Sequence, residues 1–216
     1  MPEVIAMILS EEEQEEYFTP TVEPGAIGGT PMGGLSFGAT LNATAVVDQP
    51  YQFDFYDGGG LDIAFLGLAQ CDKNGNINVS KFGPKIAGCG GFINITQNAK
   101  EVVFCGTFTA GGLKIGFENG ELRILQEGKV KKFVNNVEQI TFSGNTANKN
   151  NKKVTYVTER AVFELTKDGL MLVEIAPGVD LQKDVLDQME FMPLIAEDLK
   201  TMKAKIFRDE KMGLIF

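Results

Sequence analysis

The stretch D-I-A-F-L-G-L-A, residues 62–69, decides the fold class. It is apolar with little alternation, which predicts a strand buried on both faces of a parallel sheet. A second apolar run at residues 102–105 predicts another strand of this kind. Between the two runs lie the turn K-N-G-N at residues 73–76, a short predicted strand around residues 77–79, and the glycine cluster A-G-C-G-G-F at residues 87–92. A helix is predicted to begin at those glycines, and strands that alternate with helices indicate an α/β fold.

Antiparallel structure is predicted after Gly111. The stretch L-K-I-G-F-E-N-G-E-L-R-I-L, residues 113–125, alternates around Asn119-Gly120, a pair typical of tight hairpins. The remaining predicted elements are strands at residues 18–23, 154–159, 161–165 and 170–175, and helices at residues 2–17, 180–189 and 195–212. The sum is an open mixed sheet flanked by helices, with an antiparallel, strand-rich second part.

Composition restricts the function. A chain of 216 residues that is 44% hydrophobic can bury a core for one large domain or two small ones. The first residues lack the basic start and small-residue cleavage site of a signal peptide, and no apolar run approaches the 18 residues of a membrane span, so we expect a cytoplasmic protein without a membrane partner. A net charge of -9 argues against nucleic acid as a partner. A polyanionic ligand would need local cations, such as Lys81 and Lys85 or the group Lys129, Lys131 and Lys132.

The chain contains no histidine, which excludes Ser-His-Asp and Cys-His catalysis and His-ligated metal sites within it. Its three cysteines, Cys71, Cys89 and Cys105, lack metal-ligand spacing and are predicted to be reduced and mostly buried. We therefore expect no metal site and no cofactor. Carboxylates, thiols, hydroxyls and lysines remain as chemical agents.

Glu23 is the main candidate among these groups, because it lies where a predicted strand meets a glycine-rich loop. Ligand sites of open α/β sheets commonly occupy this position. From position alone the carboxylate could be a nucleophile, a general base or a cap of the loop. Cys89, between two glycines, is a weaker nucleophile candidate because no histidine is present to activate its thiol.

Long motifs along the chain resemble the family I coenzyme A transferases of the acetate and propionate type. They are T-V-E-P-G-A-I-G-G-T-P-M-G-G-L-S-F-G-A (residues 21–39), D-Q-P-Y-Q-F-D-F-Y-D-G-G-G-L-D (48–62), K-F-G-P-K-I-A-G-C-G-G-F-I-N-I-T-Q-N (81–98), C-G-T-F-T-A-G-G-L-K (105–114), T-E-R-A-V-F (158–163) and E-I-A-P-G-V-D (174–180). The resemblance covers nearly the whole chain.

The resemblance implies that coenzyme A passes from an acyl-CoA to a short-chain carboxylate, such as acetate or propionate, through a thioester on Glu23. It further implies backbone contacts to coenzyme A or to the oxyanion from the glycine loops, for which the candidates are Gly28, Gly29, Gly88, Gly90 and Gly91. Proline at position 24 departs from the family pattern and removes one N–H donor beside the nucleophile.

The resemblance also implies an arrangement of domains. Residues 1–216 match a single C-terminal-type domain, the glutamate-bearing half, with the family's first strand and N-terminal domain missing, so that half is an expected partner. We expect exposed apolar surface or an unpaired sheet edge near residue 2, and therefore a homo-oligomer. Two alternatives stay open: an acyl-CoA hydrolase on the same scaffold, and a non-catalytic half that needs its N-terminal domain.

Overall fold

The computed structural model describes residues 2–215. Its centre is a six-stranded mixed sheet whose strands lie side by side in chain order. These are β1 (Ile63–Gly67), β2 (Glu101–Cys105), β3 (Lys153–Val157), β4 (Ala161–Thr166), β5 (Gly169–Ile175) and β6 (Leu194–Thr201). β1, β2 and β3 are mutually parallel, β4 is antiparallel to both of its neighbours, and β6 runs parallel to β5. The predicted α/β class with a mixed sheet is confirmed.

In the part of the chain that the structure describes, four α-helices and a set of short ladders surround this sheet. The helices are α1 (Pro2–Glu11), α2 (Gln49–Asp57), α3 (Phe92–Asn98) and α4 (Gly144–Lys149). The ladders pair Ala26–Ile27 with Ala45–Val46, Thr30–Pro31 with Thr40–Leu41, Gln70–Asp72 with Ile77–Asn78 and Phe133–Val134, Lys81–Phe82 with Lys85–Ile86, Thr109–Ala110 with Val130–Lys131, and Lys114–Glu118 with Glu121–Gln126. None of the helices in residues 2–215 has the length and apolar character needed to cross a membrane.

The core lies against the middle strands of the sheet. Phe104 of β2, Tyr156 of β3 and Phe163 of β4 are fully buried, as alternation along each strand requires. The Phe104 and Tyr156 rings lie 5.5 Å apart, and the Tyr156 hydroxyl donates to the carbonyl oxygen of Gly75 at 2.6 Å. Each such ring stabilises the fold by about 2 kcal/mol through burial of apolar area, so these strands form a rigid base for the loops at their carboxyl ends.

The hairpin after Gly111 forms as predicted. Its turn residues, Asn119 and Gly120, have φ values of 54° and 79°, the left-handed pair that a tight hairpin needs. The helix predicted at residues 2–17 is too long. α1 ends at Glu11 because Glu13 takes a left-handed φ of 60°, and a short 3₁₀ turn at Glu15–Tyr17 follows.

Two other predicted elements are wrong, and a third is helical where predicted but not an α-helix. Residues 18–23 form no strand and contribute one isolated bridge, from Thr21 to Ile27. Asp180 does cap a helical segment, because it accepts a bond from the Lys183 N–H at 2.7 Å, but a π turn and a 3₁₀ turn replace the predicted helix. The helix predicted at residues 195–212 is instead β6 and a 3₁₀ turn. There the free edge of β5 offers backbone partners that override the helix propensity of the sequence.

β1 is an edge strand, which corrects the prediction of a strand buried on both faces. Ala64 and Leu66 are buried, whereas Ile63 and Gly67 are exposed. An apolar groove of about 430 Å³ lies along this strand, between β1 and α1, and Ala6 and the segment 18–23 also line it. The expected unpaired sheet edge close to the first helix is therefore confirmed.

Candidate active site

A tight turn holds Glu23 at one end of this groove. The Gly25 N–H donates to the Val22 carbonyl oxygen at 3.0 Å, so residues 22–25 form a β-turn with Glu23 at its second position. Gly25 has a φ of 121°, and a Cβ at that residue would lie 2.0 Å from the Val47 carbonyl oxygen. Glycine is required here, because any side chain would force the turn away from the segment that supports it.

The Glu23 side chain is half-buried, and its carboxylate forms no polar contact with the described residues. No donor among residues 2–215 hydrogen-bonds to it, and no cation lies within ion-pair distance. It packs against Gly91: a Cβ at Gly91 would lie 2.8 Å from Glu23 Cδ and 3.0 Å from Oε1. The ring of Phe53 bounds the same space, at 2.6 Å from that Cβ position. The carboxylate is thus positioned by packing and not by hydrogen bonds within the described residues.

The second glycine cluster supplies backbone donors next to this carboxylate. The N–H groups of Gly90 and Gly91 donate no hydrogen bond within the described part of the chain, whereas the Gly88 N–H donates to the Ser80 carbonyl oxygen at 3.0 Å. Gly90 adopts a φ of 52° and has open space around its Cβ position. Of the three candidates in this cluster, Gly90 and Gly91 therefore have donors to offer, and Gly88 shapes the loop.

The first glycine pair, Gly28 and Gly29, shapes its loop, and of the two only the Gly29 N–H donates no hydrogen bond within residues 2–215. Both have left-handed φ values, 72° and 69°. A Cβ would lie 2.3 Å from Thr44 Oγ1 at Gly28 and 2.2 Å from the Leu41 carbonyl oxygen at Gly29. The Gly28 N–H donates to the Pro20 carbonyl oxygen at 2.8 Å, so it is not available to an oxyanion.

Two buried polar residues of α2 support the Glu23 turn, and sequence reasoning missed both. Gln52 and Tyr56 lie one helical turn apart and are 1% and 2% exposed. Gln52 Nε2 donates to the Tyr56 hydroxyl at 2.9 Å and approaches the Val22 carbonyl oxygen at 3.4 Å, and the Tyr56 hydroxyl donates to Thr21 Oγ1 at 3.0 Å. Burial raises the pKa of Tyr56, and the Glu23 charge adds to the increase against the two hydrogen bonds. Gln52 and Tyr56 are the buried residues of α2, whose other side chains are exposed or half-buried, so no apolar stripe marked this face in the sequence.

The predicted cations differ in availability. Lys132 is buried and donates to the Thr107 carbonyl oxygen at 2.7 Å, and Lys131 donates to the carbonyl oxygens of Asp187 and Met189. Lys81 lies 3.8 Å from Glu138. The remaining two, Lys85 and Lys129, are exposed, and neither forms an ion pair within residues 2–215.

Because Lys132 is buried, we expect the stability of the fold to depend on pH. Burial lowers its pKa to about 8, with Glu159 opposing the decrease. Between this value and the ordinary lysine pKa, about 10.4, the unfolded chain binds more protons than the folded one, so raising the pH across this window stabilises the fold through this residue. We expect the free energy of unfolding of the wild type to rise by about 1–2 kcal/mol relative to Lys132→Met between pH 8 and 10.5.

Urea unfolding of both proteins at several pH values measures this difference. The pKa values of Cys71 and Tyr156, which burial raises, act on both proteins equally and cancel. Parallel pH profiles for the wild type and the variant would contradict the prediction.

No cluster of three or more His, Cys, Asp or Glu side chains suited to a metal ion occurs in residues 2–215. Cys89 is half-buried and Cys71 fully buried, and neither forms a disulfide. Burial raises the pKa of the Cys105 thiol, which disfavours its thiolate. Among the candidate groups that the structure describes, Glu23 has the most suitable surroundings for nucleophilic chemistry.

No protein-family model matches the chain, whereas comparisons with individual known proteins give strong matches. The acetate CoA-transferase YdiF of Escherichia coli (strain K12) is 51% identical over 211 residues, which are 98% of this chain and 40% of that protein. The caffeate CoA-transferase of Acetobacterium woodii is 48% identical over 219 residues, 99% of this chain and 42% of that protein.

A solved structure matches equally well. It is the acyl-CoA transferase YdiF from E. coli O157:H7, described as a thioester complex with CoA, with a TM-score of 0.92 and 49% identity over 98% of this chain and 40% of that one. The chain thus spans about two fifths of the length of these relatives.

Proposed function

This chain belongs to the family I coenzyme A transferases, and we propose that it supplies the covalent nucleophile, Glu23, for the transfer of coenzyme A from an acyl-CoA to a carboxylate. One observation carries the proposal. The Glu23 carboxylate is half-buried beside Gly91 and accepts no hydrogen bond from residues 2–215. A carboxylate without partners retains its nucleophilicity, whereas one that caps a loop would be bonded to backbone N–H groups.

In the proposed reaction a Glu23 oxygen attacks the thioester carbonyl carbon of the acyl-CoA. The C–S bond breaks, coenzyme A leaves as a thiolate, and Glu23 is left in a mixed anhydride. The thiolate then attacks Cδ of Glu23, the anhydride C–O bond breaks, and the acyl group leaves as a free carboxylate. The product is a Glu23–coenzyme A thioester, and an acceptor carboxylate regenerates Glu23 by the reverse sequence. Every step is an addition or elimination by a carboxylate or a thiolate, so the proposal needs no cofactor.

Each attack places negative charge on a carbonyl oxygen next to Gly91. The unengaged N–H groups of Gly90 and Gly91 are the proposed donors to this oxyanion, or to coenzyme A itself. Losing one preorganised donor of this kind typically costs about 3–4 kcal/mol of transition-state stabilisation. The match to a structure described as a thioester complex with CoA supports a thioester intermediate.

The proposed acceptor is a short-chain carboxylate such as acetate or propionate. The name of the E. coli relative supports acetate, whereas the A. woodii relative is named for caffeate. The groove beside Glu23 is apolar, with Phe37, Phe65 and Phe92 among its lining residues, and suits an acyl chain rather than a charged group. The open edge of β1 and the greater length of the relatives support an N-terminal half as partner, and a homo-oligomer stays a prediction.

Intact-mass spectrometry tests the proposal on this chain combined with its complementary N-terminal half. Incubation with acetyl-CoA should add the mass of coenzyme A minus water, and addition of propionate should remove it and yield propionyl-CoA. If propionate leaves the rate of coenzyme A release unchanged and no propionyl-CoA forms, the protein is a hydrolase. If the adduct forms at the same rate without this chain, the chain is a non-catalytic half.

A further inference from the structure

The two buried polar residues of α2 have no role in the proposed chemistry, yet they are placed against the backbone that leads into Glu23. Tyr56 reaches Thr21 and Gln52 reaches Val22, the two residues that precede Glu23. Burying polar groups costs free energy unless they are hydrogen-bonded. Gln52 Oε1 is nevertheless buried without a partner in the described part of the chain. A leucine would fill this position at a smaller cost, so the amide needs a reason to be there.

The direction of each hydrogen bond follows from the backbone. The Val22 oxygen only accepts, so the Gln52 amide must point Nε2 rather than Oε1 toward it. The same Nε2 then donates to the Tyr56 hydroxyl, and this hydroxyl in turn donates to Thr21 Oγ1. Two hydrogen bonds therefore start at Gln52 Nε2: one ends on the Val22 carbonyl oxygen, and the other continues through the Tyr56 hydroxyl to the Thr21 side chain.

We propose that Gln52 and Tyr56 are positioning residues, which fix residues 21–22 and thereby aim the Glu23 carboxylate at the thioester carbonyl. This inference rests on the function proposed above. The carboxylate has no hydrogen bond of its own within residues 2–215, so its location depends on the turn that carries it and on packing against Gly91. The hydrogen bonds from α2 to Thr21 and Val22 hold that turn in place.

The size of the expected effect follows from the demand for alignment. A displacement of about 1 Å at a reacting group can cost roughly 100-fold in rate. Removing the Tyr56 hydroxyl breaks the bond to Thr21 and removes the main acceptor of the Gln52 amide. We therefore expect Tyr56→Phe to form the Glu23 thioester about 10- to 100-fold more slowly. The acyl-CoA concentration for half-maximal rate should change by less than about threefold, because the variant alters alignment rather than binding.

The experiment measures thioester formation by rapid quench and mass spectrometry, with this chain combined with its N-terminal half. The matched control is Tyr51→Phe, the same change in the same helix at a side chain that is 66% exposed; it should behave as the wild type. Thr21→Val removes the acceptor and should slow the reaction about tenfold, whereas Thr21→Ser keeps the hydroxyl and should restore the rate to within about threefold. Adding Thr21→Val to Tyr56→Phe should cost little more, because both break one bond.

Two kinds of failure are distinguishable. If the wild type forms the thioester and Glu23→Ala does not, but Tyr56→Phe reacts at the wild-type rate, the positioning role is wrong and the proposed function stands. Equal rates for Thr21→Val and Thr21→Ser would overturn it too. If the wild type forms no thioester at all, the proposed function fails and this inference fails with it.

Discussion

Glu23→Ala should abolish the coenzyme A adduct and lower turnover by at least about 10⁴-fold, because the substitution removes the group that the proposed mechanism uses in every step. The fold should be unaffected. The carboxylate forms no hydrogen bond or ion pair with residues 2–215, so its loss leaves no buried group unpaired. Glu23→Asp keeps the charge but withdraws it by one methylene, and we expect a loss of about 100-fold.

Peptide mapping identifies the modified residue. Borohydride reduces a glutamyl thioester to an alcohol, and the altered mass should lie in the peptide that contains Glu23. Glu197→Ala is the matched control, since Glu197 is an exposed glutamate on the edge strand β6. The proposal would be wrong if the label mapped to Cys89, or if Glu23→Ala formed the adduct at the normal rate.

Patterns of local origin predicted the middle of the fold well. The runs that became β2 and β3, the hairpin around Asn119-Gly120 and the helix after Gly91 all depend on residues close in sequence. The run at residues 62–69 was correctly predicted to be a strand of the sheet, but the prediction that both of its faces are buried was wrong. Whether β1 has a neighbour on its outer edge depends on what packs there, which its own residues do not encode.

For β6 the type of element itself was predicted wrongly. L-I-A-E-D-L-K-T, residues 194–201, is rich in helix-forming residues and reads as helix, yet it extends the sheet as β6. It pairs in parallel with β5, and this pairing supplies backbone hydrogen bonds that no local signal announces. Tertiary context overrides propensity most readily in a segment of this kind, where polar side chains face solvent in either conformation.

The candidate site was predicted unevenly. Glu23 and the glycines of residues 88–91 were predicted from a resemblance, and the structure brings Glu23 and Gly91 into contact. Gly28, in the loop that follows Glu23, was predicted in the same way, but its N–H already donates to the Pro20 carbonyl oxygen. Hydrogen-bond partners are a property of three-dimensional neighbours, so sequence could nominate glycine donors without showing which were free. Gln52 and Tyr56 were missed because polar residues at i and i+4 usually face water.

The contact between Glu23 and Gly91 makes Gly91→Ala a sharp test of the site. Gly91 has a φ of -78°, which alanine adopts without strain, so the substitution adds only a methyl group. That methyl would lie 2.8 Å from Glu23 Cδ and 2.6 Å from Phe53 Cζ, too close for either to stay in place. The carboxylate is the more mobile neighbour because no hydrogen bond within residues 2–215 restrains it.

We therefore expect Gly91→Ala to slow thioester formation by about 100-fold or more, through displacement of Glu23, with a melting temperature close to that of the wild type. Gly116→Ala is the matched control: this residue lies in the hairpin strand Lys114–Glu118, outside the groove, and its Cβ position meets only the flexible Leu125 side chain, at 3.3 Å, so the rate should be nearly unchanged. Gly90→Ala meets open space, but its φ of 52° costs about 1–2 kcal/mol of stability. Its melting temperature should therefore fall while its rate falls less than that of Gly91→Ala. A Gly91→Ala enzyme that forms the thioester at the wild-type rate would show that the reacting carboxylate does not lie against this glycine.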